Sequence, residues 1–416
     1  MINKLGQLIL GFAVSVLLGR YLGPDKFGIY SLAVSVFSIL TIFVNFGLDE
    51  PFIKNIVGKF ENALDELWKV FNIKFLVSIS IVLLFLLLSC FSNTKIIHYI
   101  NYIIWGLIFV PFLTINSLYE ARVESKKLVI PLLVQLIMSA SLKMIGIYLK
   151  LPLEFFIAMF AFDFFLQALL LIIISKIEYK DLKYKFSIAF KRYFKSSWPL
   201  FFSSVAAIIY MRLDQLLLKY LMGDFEVGIY SAALKFSEAW YFIPVVIVSS
   251  FFPSLLSSEK NLIDLNKKTQ TILDLLMLLA FSVSLITILS SSLILQVTFG
   301  QRYLESSHIL NIHIFTGIFV CLGVASGKWM ITLNLQKHTF YRSIVGLLIN
   351  IILNFLLISK YGVAGAAYAT LLSQIFATFL YDLFVSELRP IFICKIKSLF
   401  FIFRLKEIGL FVRSKL

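Results

Sequence analysis

Charge is scarce in this chain. Only 15% of its 416 residues are Asp, Glu, Lys or Arg, whereas 60% are hydrophobic and the mean hydropathy is +0.93. A soluble domain carries about 25% charged residues, and 43 Phe, 18 Tyr and 5 Trp bring more apolar surface than one water-exposed fold can hide. A soluble enzyme is therefore excluded. Cysteine is also nearly absent: Cys90, Cys321 and Cys394 lie far apart, with no Cys or His partner at a ligand spacing, so neither a disulfide framework nor a zinc site is expected. No G-x-x-x-x-G-K-[ST] segment is present, which leaves ATP hydrolysis at a P-loop unsupported. The first apolar run ends in Gly23-Pro24-Asp25 without an A-x-A pattern, so it reads as a retained anchor rather than a signal peptide.

What the chain does have is a succession of apolar runs. They fall at about 5–22, 29–48, 70–91, 96–118, 128–149, 152–175, 198–221, 227–256, 272–297, 307–332, 340–358 and 362–385. A membrane-spanning helix needs about 20 such residues, so these runs predict an all-α integral membrane protein of twelve spans. The predicted parts are an N-terminal six-helix bundle (1–175), a basic cytoplasmic linker (176–197), a C-terminal six-helix bundle (198–385) and a basic amphipathic tail (386–416). Pro244 interrupts the eighth run, where a proline is tolerated as a kink.

Acidic residues are outnumbered, 23 to 38 Lys and Arg, for a net charge of +15. A nucleic-acid binder would gather its basic residues on an exposed face, whereas here they sit between apolar runs, so no nucleic-acid partner is expected. With the N-terminus inside, only Arg20, Lys26, Lys95, Lys150, Lys219, Arg302 and Lys360 fall outside, while twenty-six basic residues fall inside. That asymmetry predicts cytoplasmic termini. The tail mixes Phe, Ile and Leu with Lys395, Lys397, Arg404, Lys406, Arg413 and Lys415, a composition suited to an anionic leaflet.

The chain is internally duplicated. Gly28-Ile29-Tyr30-Ser31-Leu32-Ala33 returns as Gly228-Ile229-Tyr230-Ser231-Ala232-Ala233, and Arg20-Tyr21-Leu22 is answered by Lys219-Tyr220-Leu221. With six spans per half, the halves enter the membrane in the same orientation and would be related by an axis along the membrane normal. Tyr361 to Thr370 add a run of small residues entering span twelve, which suits close helix approach.

The stretch from Gly19-Arg20-Tyr21-Leu22-Gly23-Pro24 to Gly28-Ile29-Tyr30-Ser31 resembles the N-terminal signature of polysaccharide-export flippases of the O-antigen type (Wzx-like). Ser197-Trp198-Pro199-Leu200, Arg212-Leu213-Asp214-Gln215, Phe251-Phe252-Pro253 and Gly362-Val363-Ala364-Gly365 are similar to later parts of the same family. The resemblance implies the multidrug/oligosaccharidyl-lipid/polysaccharide exporter superfamily, with two six-helix, MATE-like bundles around a cavity. It implies a flippase for an undecaprenyl-diphosphate-linked glycan, such as an O-antigen unit of lipopolysaccharide. The sugar and diphosphate would pass through the cavity while the prenyl chain stays in the membrane lipids. Polysaccharide polymerase and glycosyltransferases would be partners, in the inner membrane, and no cofactor or metal is implied.

Ionisable residues deep in a bilayer are costly and should face the bundle interior or a partner. Arg212 lies some nine residues from the outer end of its span, about 13 Å, beyond easy snorkelling. A diphosphate suits Arg for bidentate contacts and Lys as a point charge, so Arg20, Lys143, Arg212 and Lys235 form the candidate substrate-binding set. Arg20 could equally be an interface anchor. Asp163, Asp214 and Glu238 are candidates for ion coupling or structural pairing: Asp163 with Lys143 or Arg212, Asp214 with Lys235, Glu238 with Lys235. Lys74 and Lys328 are expected to snorkel to the cytoplasmic interface. A cation-coupled multidrug exporter would favour acidic cavity residues, whereas the deep charges here lean basic, and an oligosaccharide polymerase would need a long external loop, which no external connection supplies.

Overall fold

The computed structural model describes residues 2–57, 63–91, 94–175 and 186–404. Among them only helices occur, as expected of a chain whose backbone must satisfy its own hydrogen bonds in lipid. Contacts divide the chain into a first unit, Met1–Arg212, and a second, Leu213–Leu416. The first contains α1 (Ile2–Asn45), α2 (Asp49–Ile56), α3 (Ala63–Phe91), α4 (Lys95–Ile103), α5 (Thr114–Ala121), α6 (Val129–Tyr148) and α7 (Leu153–Ser175). α8 (Phe186–Leu221) is shared between the units. The second unit continues with α9 (Asp224–Glu238), α10 (Phe242–Leu256), α11 (Leu262–Thr298), α12 (Ser306–His313), α13 (Thr316–Thr332), α14 (Lys337–Tyr361), α15 (Val363–Ile375), α16 (Tyr381–Phe384) and α17 (Arg389–Leu399).

Among the described residues, ten helical stretches are long and apolar enough to cross a membrane. The first, Ile9–Ile56, is 48 residues long and holds two of the runs read from sequence; α8 carries the seventh, outside the ten. The linker expected at 176–197 lies in part outside the described residues, and from Phe186 the chain is already helical. Large apolar side chains point outward along the spans, Leu289 on α11 being 80% exposed, as lipid-facing positions are.

The duplicated sequence has a backbone cause. Gly23 (φ 73°, ψ 170°) breaks α1 between the first two spans, and Gly223 (φ 133°, ψ −171°) separates α8 from α9. Both conformations belong to a region open almost only to glycine, and each is followed by the Gly-Ile-Tyr-Ser segment that opens the next span. In the second unit Lys219 pairs with Asp224 across this turn at 2.5 Å.

The small residues of span twelve serve packing. A Cβ on Gly365 would stand 2.0 Å from the carbonyl oxygen of Leu357, so α14 and α15 touch backbone to backbone there. Gly365→Leu is expected to force the two helices apart and lower the midpoint of thermal unfolding of the purified protein by many degrees. An unchanged midpoint would contradict this packing.

Lys74 does not snorkel. It is 1% exposed and its Nζ lies 2.8 Å from Asp49 Oδ1, which also accepts from Ser117 at 2.9 Å. The short α2, linking spans two and three, brings a carboxylate to the lysine, so the buried charge is paired rather than left alone. Lys328 stands 4.6 Å from the centre of the Phe252 ring, a cation–π contact.

Candidate functional site

Asp163 in the first unit and Asp214 in the second lie within apolar helices and are satisfied in opposite ways. In the first unit α6 and α7, joined by a short turn, place Lys143 and Asp163 side by side. The lysine Nζ donates to Asp163 Oδ2 at 2.5 Å and to Ser139 Oγ at 2.9 Å. Lys143 is 6% exposed, so the pair is largely removed from water and its charges cancel. Of the alternatives read from sequence, the structure gives Asp163 the partner Lys143.

In the second unit Asp214 is 3% exposed. It accepts from the Tyr230 hydroxyl at 2.6 Å, from Asn354 Nδ2 at 2.7 Å and from the Thr370 hydroxyl. Asn354 also donates to Asn350 Oδ1 at 3.0 Å, and Asn350 donates to Ser373 Oγ at 3.3 Å, so the network runs through α8, α9, α14 and α15. All these donors are neutral, and Asp214 takes none of its hydrogen bonds from Lys235. A carboxylate that takes its hydrogen bonds from hydroxyls and an amide, as Asp214 does among the described residues, is the kind of group that can exchange a proton or a cation without first breaking an ion pair. The Oδ1 of Asn354 is buried beside it with no hydrogen-bond partner among the described residues.

The remaining residues of the expected set lie apart from these networks. Arg212, two residues before Asp214 on α8, is half-buried and its Nε is buried without a hydrogen-bond partner among the described residues. Being two positions away, it faces elsewhere than Asp214. Arg20 is exposed on the turn before Gly23; Lys235 is exposed and Glu238 half-buried on α9. Among the described residues no group of three or more His, Cys, Asp or Glu could hold a metal ion.

Sequence reasoning missed Tyr230, Asn350, Asn354 and Thr370 as partners of Asp214. One signal was available: Asn350 and Asn354 stand at i and i+4 inside an otherwise apolar run and therefore share one face. It also missed a second buried cluster, in which Asp382 Oδ2 lies 2.6 Å from Lys395 Nζ and Asp382 Oδ1 lies 3.9 Å from Arg342 Nη1.

Comparison with known proteins agrees with this architecture. A family model described as polysaccharide biosynthesis protein matches residues 1–258. A Shigella flexneri protein named as an O-antigen transporter is 26% identical over 380 residues, covering 84% of this chain and 87% of that one. The capsular polysaccharide biosynthesis protein CapF of Staphylococcus aureus is 28% identical over 247 residues, 55% of this chain and 62% of its own. Among solved structures, the lipid II flippase MurJ in an inward closed conformation gives a TM-score of 0.71 at 20% identity, covering 97% of this chain and 92% of that one. A multidrug resistance MATE transporter in its inward-facing conformation gives 0.71 at 11% identity, with 96% of each chain covered. At these identities the structures establish a shared fold.

Proposed function

The chain belongs to the polysaccharide biosynthesis protein family, and from that premise we propose that it is a flippase which carries a polyprenyl-diphosphate-linked oligosaccharide across the cytoplasmic membrane by alternating access. The family match over residues 1–258 carries this reading, and the relative named for O-antigen transport supports it. The substrate is an undecaprenyl-diphosphate-linked repeat unit of a surface polysaccharide. The chain makes and breaks no covalent bond: its task is to replace the water around a diphosphate and a glycan while the prenyl tail stays in lipid. Both termini lie in the cytoplasm, and polymerase and glycosyltransferases act before and after the transfer.

Arg212 is the group best suited to the diphosphate. Its Nε–H is buried without an acceptor among the described residues, a costly state that an anionic oxygen relieves, and its planar fork matches phosphate geometry. Arg20 and Lys235, both exposed, attract the anion electrostatically. Lys143 already has its charge neutralised by Asp163 and contributes through that pair. Asp214 is the coupling group, binding and releasing a proton or cation as the substrate crosses.

Reconstitution tests this assignment. Arg212→Ala is expected to slow translocation of a labelled polyprenyl-diphosphate oligosaccharide by about ten- to a hundredfold, the worth of a hydrogen bond to a charged group. Arg212→Lys should recover only part of the rate, since lysine gives no bidentate contact. Wild-type rates in Arg212→Ala would remove this residue from the site.

A further inference from the structure

The segment that follows span twelve turns apolar side chains outward as well as inward. On α17 the buried stripe consists of Ile391, Cys394, Lys395 and Ser398, whereas the exposed stripe carries Arg389, Ile393, Ile396, Lys397 and Phe400. Ile393 is 50% exposed, Phe400 60% and, just beyond, Ile402 65%. A helix on a water-soluble protein confines its apolar residues to the stripe that faces the core. Here Ile391 faces the protein together with a lysine, while Ile393 and Ile396 face outward.

The inward charges lie in ion pairs. Lys395 Nζ donates to Asp382 Oδ2 at 2.6 Å and to the carbonyl of Thr378 at 2.5 Å, and neither Lys395 nor Asp382 has exposed side-chain surface. Arg404 Nη1 lies 3.2 Å from Asp274 Oδ2, whose side chain is 1% exposed. The Phe401 ring packs on Phe281 of α11 with centroids 5.6 Å apart. Phe281 stands nine residues past the start of span nine at residue 272, about 13 Å along the helix, so the segment climbs beside that span. Its polar groups are paired on the protein side, which is the condition for a charged segment to enter hydrocarbon.

We infer that Arg389–Arg404 is docked in the lipid leaflet, with its exposed apolar stripe against acyl chains and Arg389 and Lys397 against anionic headgroups. Both cations are exposed and long enough to reach the interface while the apolar residues beside them stay immersed. The same segment grips the transport bundle. Thr378, whose carbonyl accepts from Lys395, lies in the π-helical turn Phe376–Leu380 of span twelve, and such turns are frequent at functional sites. Which leaflet the segment occupies rests on the orientation proposed above; the lipid contact does not.

Site-directed quenching tests the contact without reference to transport. In the full chain with Cys90, Cys321 and Cys394 replaced, a bimane label is attached at Ile393→Cys, at Phe400→Cys or, as the water-exposed control, at Glu259→Cys. The protein is then placed in vesicles of phosphatidylcholine and phosphatidylglycerol. Lipids carrying a nitroxide on the acyl chain are expected to quench the labels at 393 and 400 several-fold more than the label at 259, and aqueous iodide to do the reverse. Iodide quenching at 393 and 400 equal to that at 259 would place the stripe in water, and protection from both quenchers would place it against protein; either result overturns the inference. A failure here leaves the flippase reading intact, because no translocation is measured.

Discussion

Asp214→Leu is expected to leave the protein poorly folded, whereas Asp214→Asn is expected to fold and to transport without coupling. The difference follows from the three donors that converge on the carboxylate, Tyr230, Asn354 and Thr370. Leucine orphans all of them at about 1–3 kcal/mol each, a large share of the roughly 5–15 kcal/mol that holds a protein together. Asparagine keeps an acceptor in place, and the two hydroxyls can rotate to meet its amide. What it removes is the titratable charge. In proteoliposomes with an imposed pH or sodium gradient, the wild type should respond to the gradient that drives it and Asp214→Asn should respond to neither. An Asn variant that responds like the wild type would reduce Asp214 to a structural anchor.

Lys143 and Asp163 should behave as one unit. Removing one partner of a buried ion pair strands the other charge and costs about 3–5 kcal/mol, while replacing both with apolar residues of similar size is often neutral. Their side chains are 8% and 18% exposed, so screening by water is slight. Lys143→Met alone is therefore expected to be strongly destabilising in thermal or denaturant unfolding, and Lys143→Met with Asp163→Leu to recover most of the loss. Strictly additive effects in this double-mutant cycle would show that the two charges do not depend on each other.

The apolar helices were legible because they are local signals. Apolar runs bounded by charge mark the helices, and the repeated Gly-Ile-Tyr-Ser follows a turn that Gly23 and Gly223 alone make unstrained. The Lys143–Asp163 pair was within reach of sequence reasoning, since neighbouring antiparallel spans bring residues 20 apart to one depth. The partners of Asp214 were not, as Asn354 and Thr370 lie 140 and 156 residues away. Tyr230 was visible only as part of the repeat; its second role, as donor to Asp214, depends on tertiary packing. Lys74 was misplaced for a related reason, because depth in the membrane says nothing about a carboxylate supplied by an intervening helix. The tail composition suggested a lipid surface, but periodicity alone does not reveal which stripe of α17 faces the protein.

The most direct measurement is the leaflet exposure of a labelled polyprenyl-diphosphate oligosaccharide in proteoliposomes containing the wild-type protein, against empty vesicles. Faster appearance of the glycan in the opposite leaflet is the result predicted here. No acceleration by a correctly inserted protein that does carry organic cations would contradict it and favour the drug-exporter alternative.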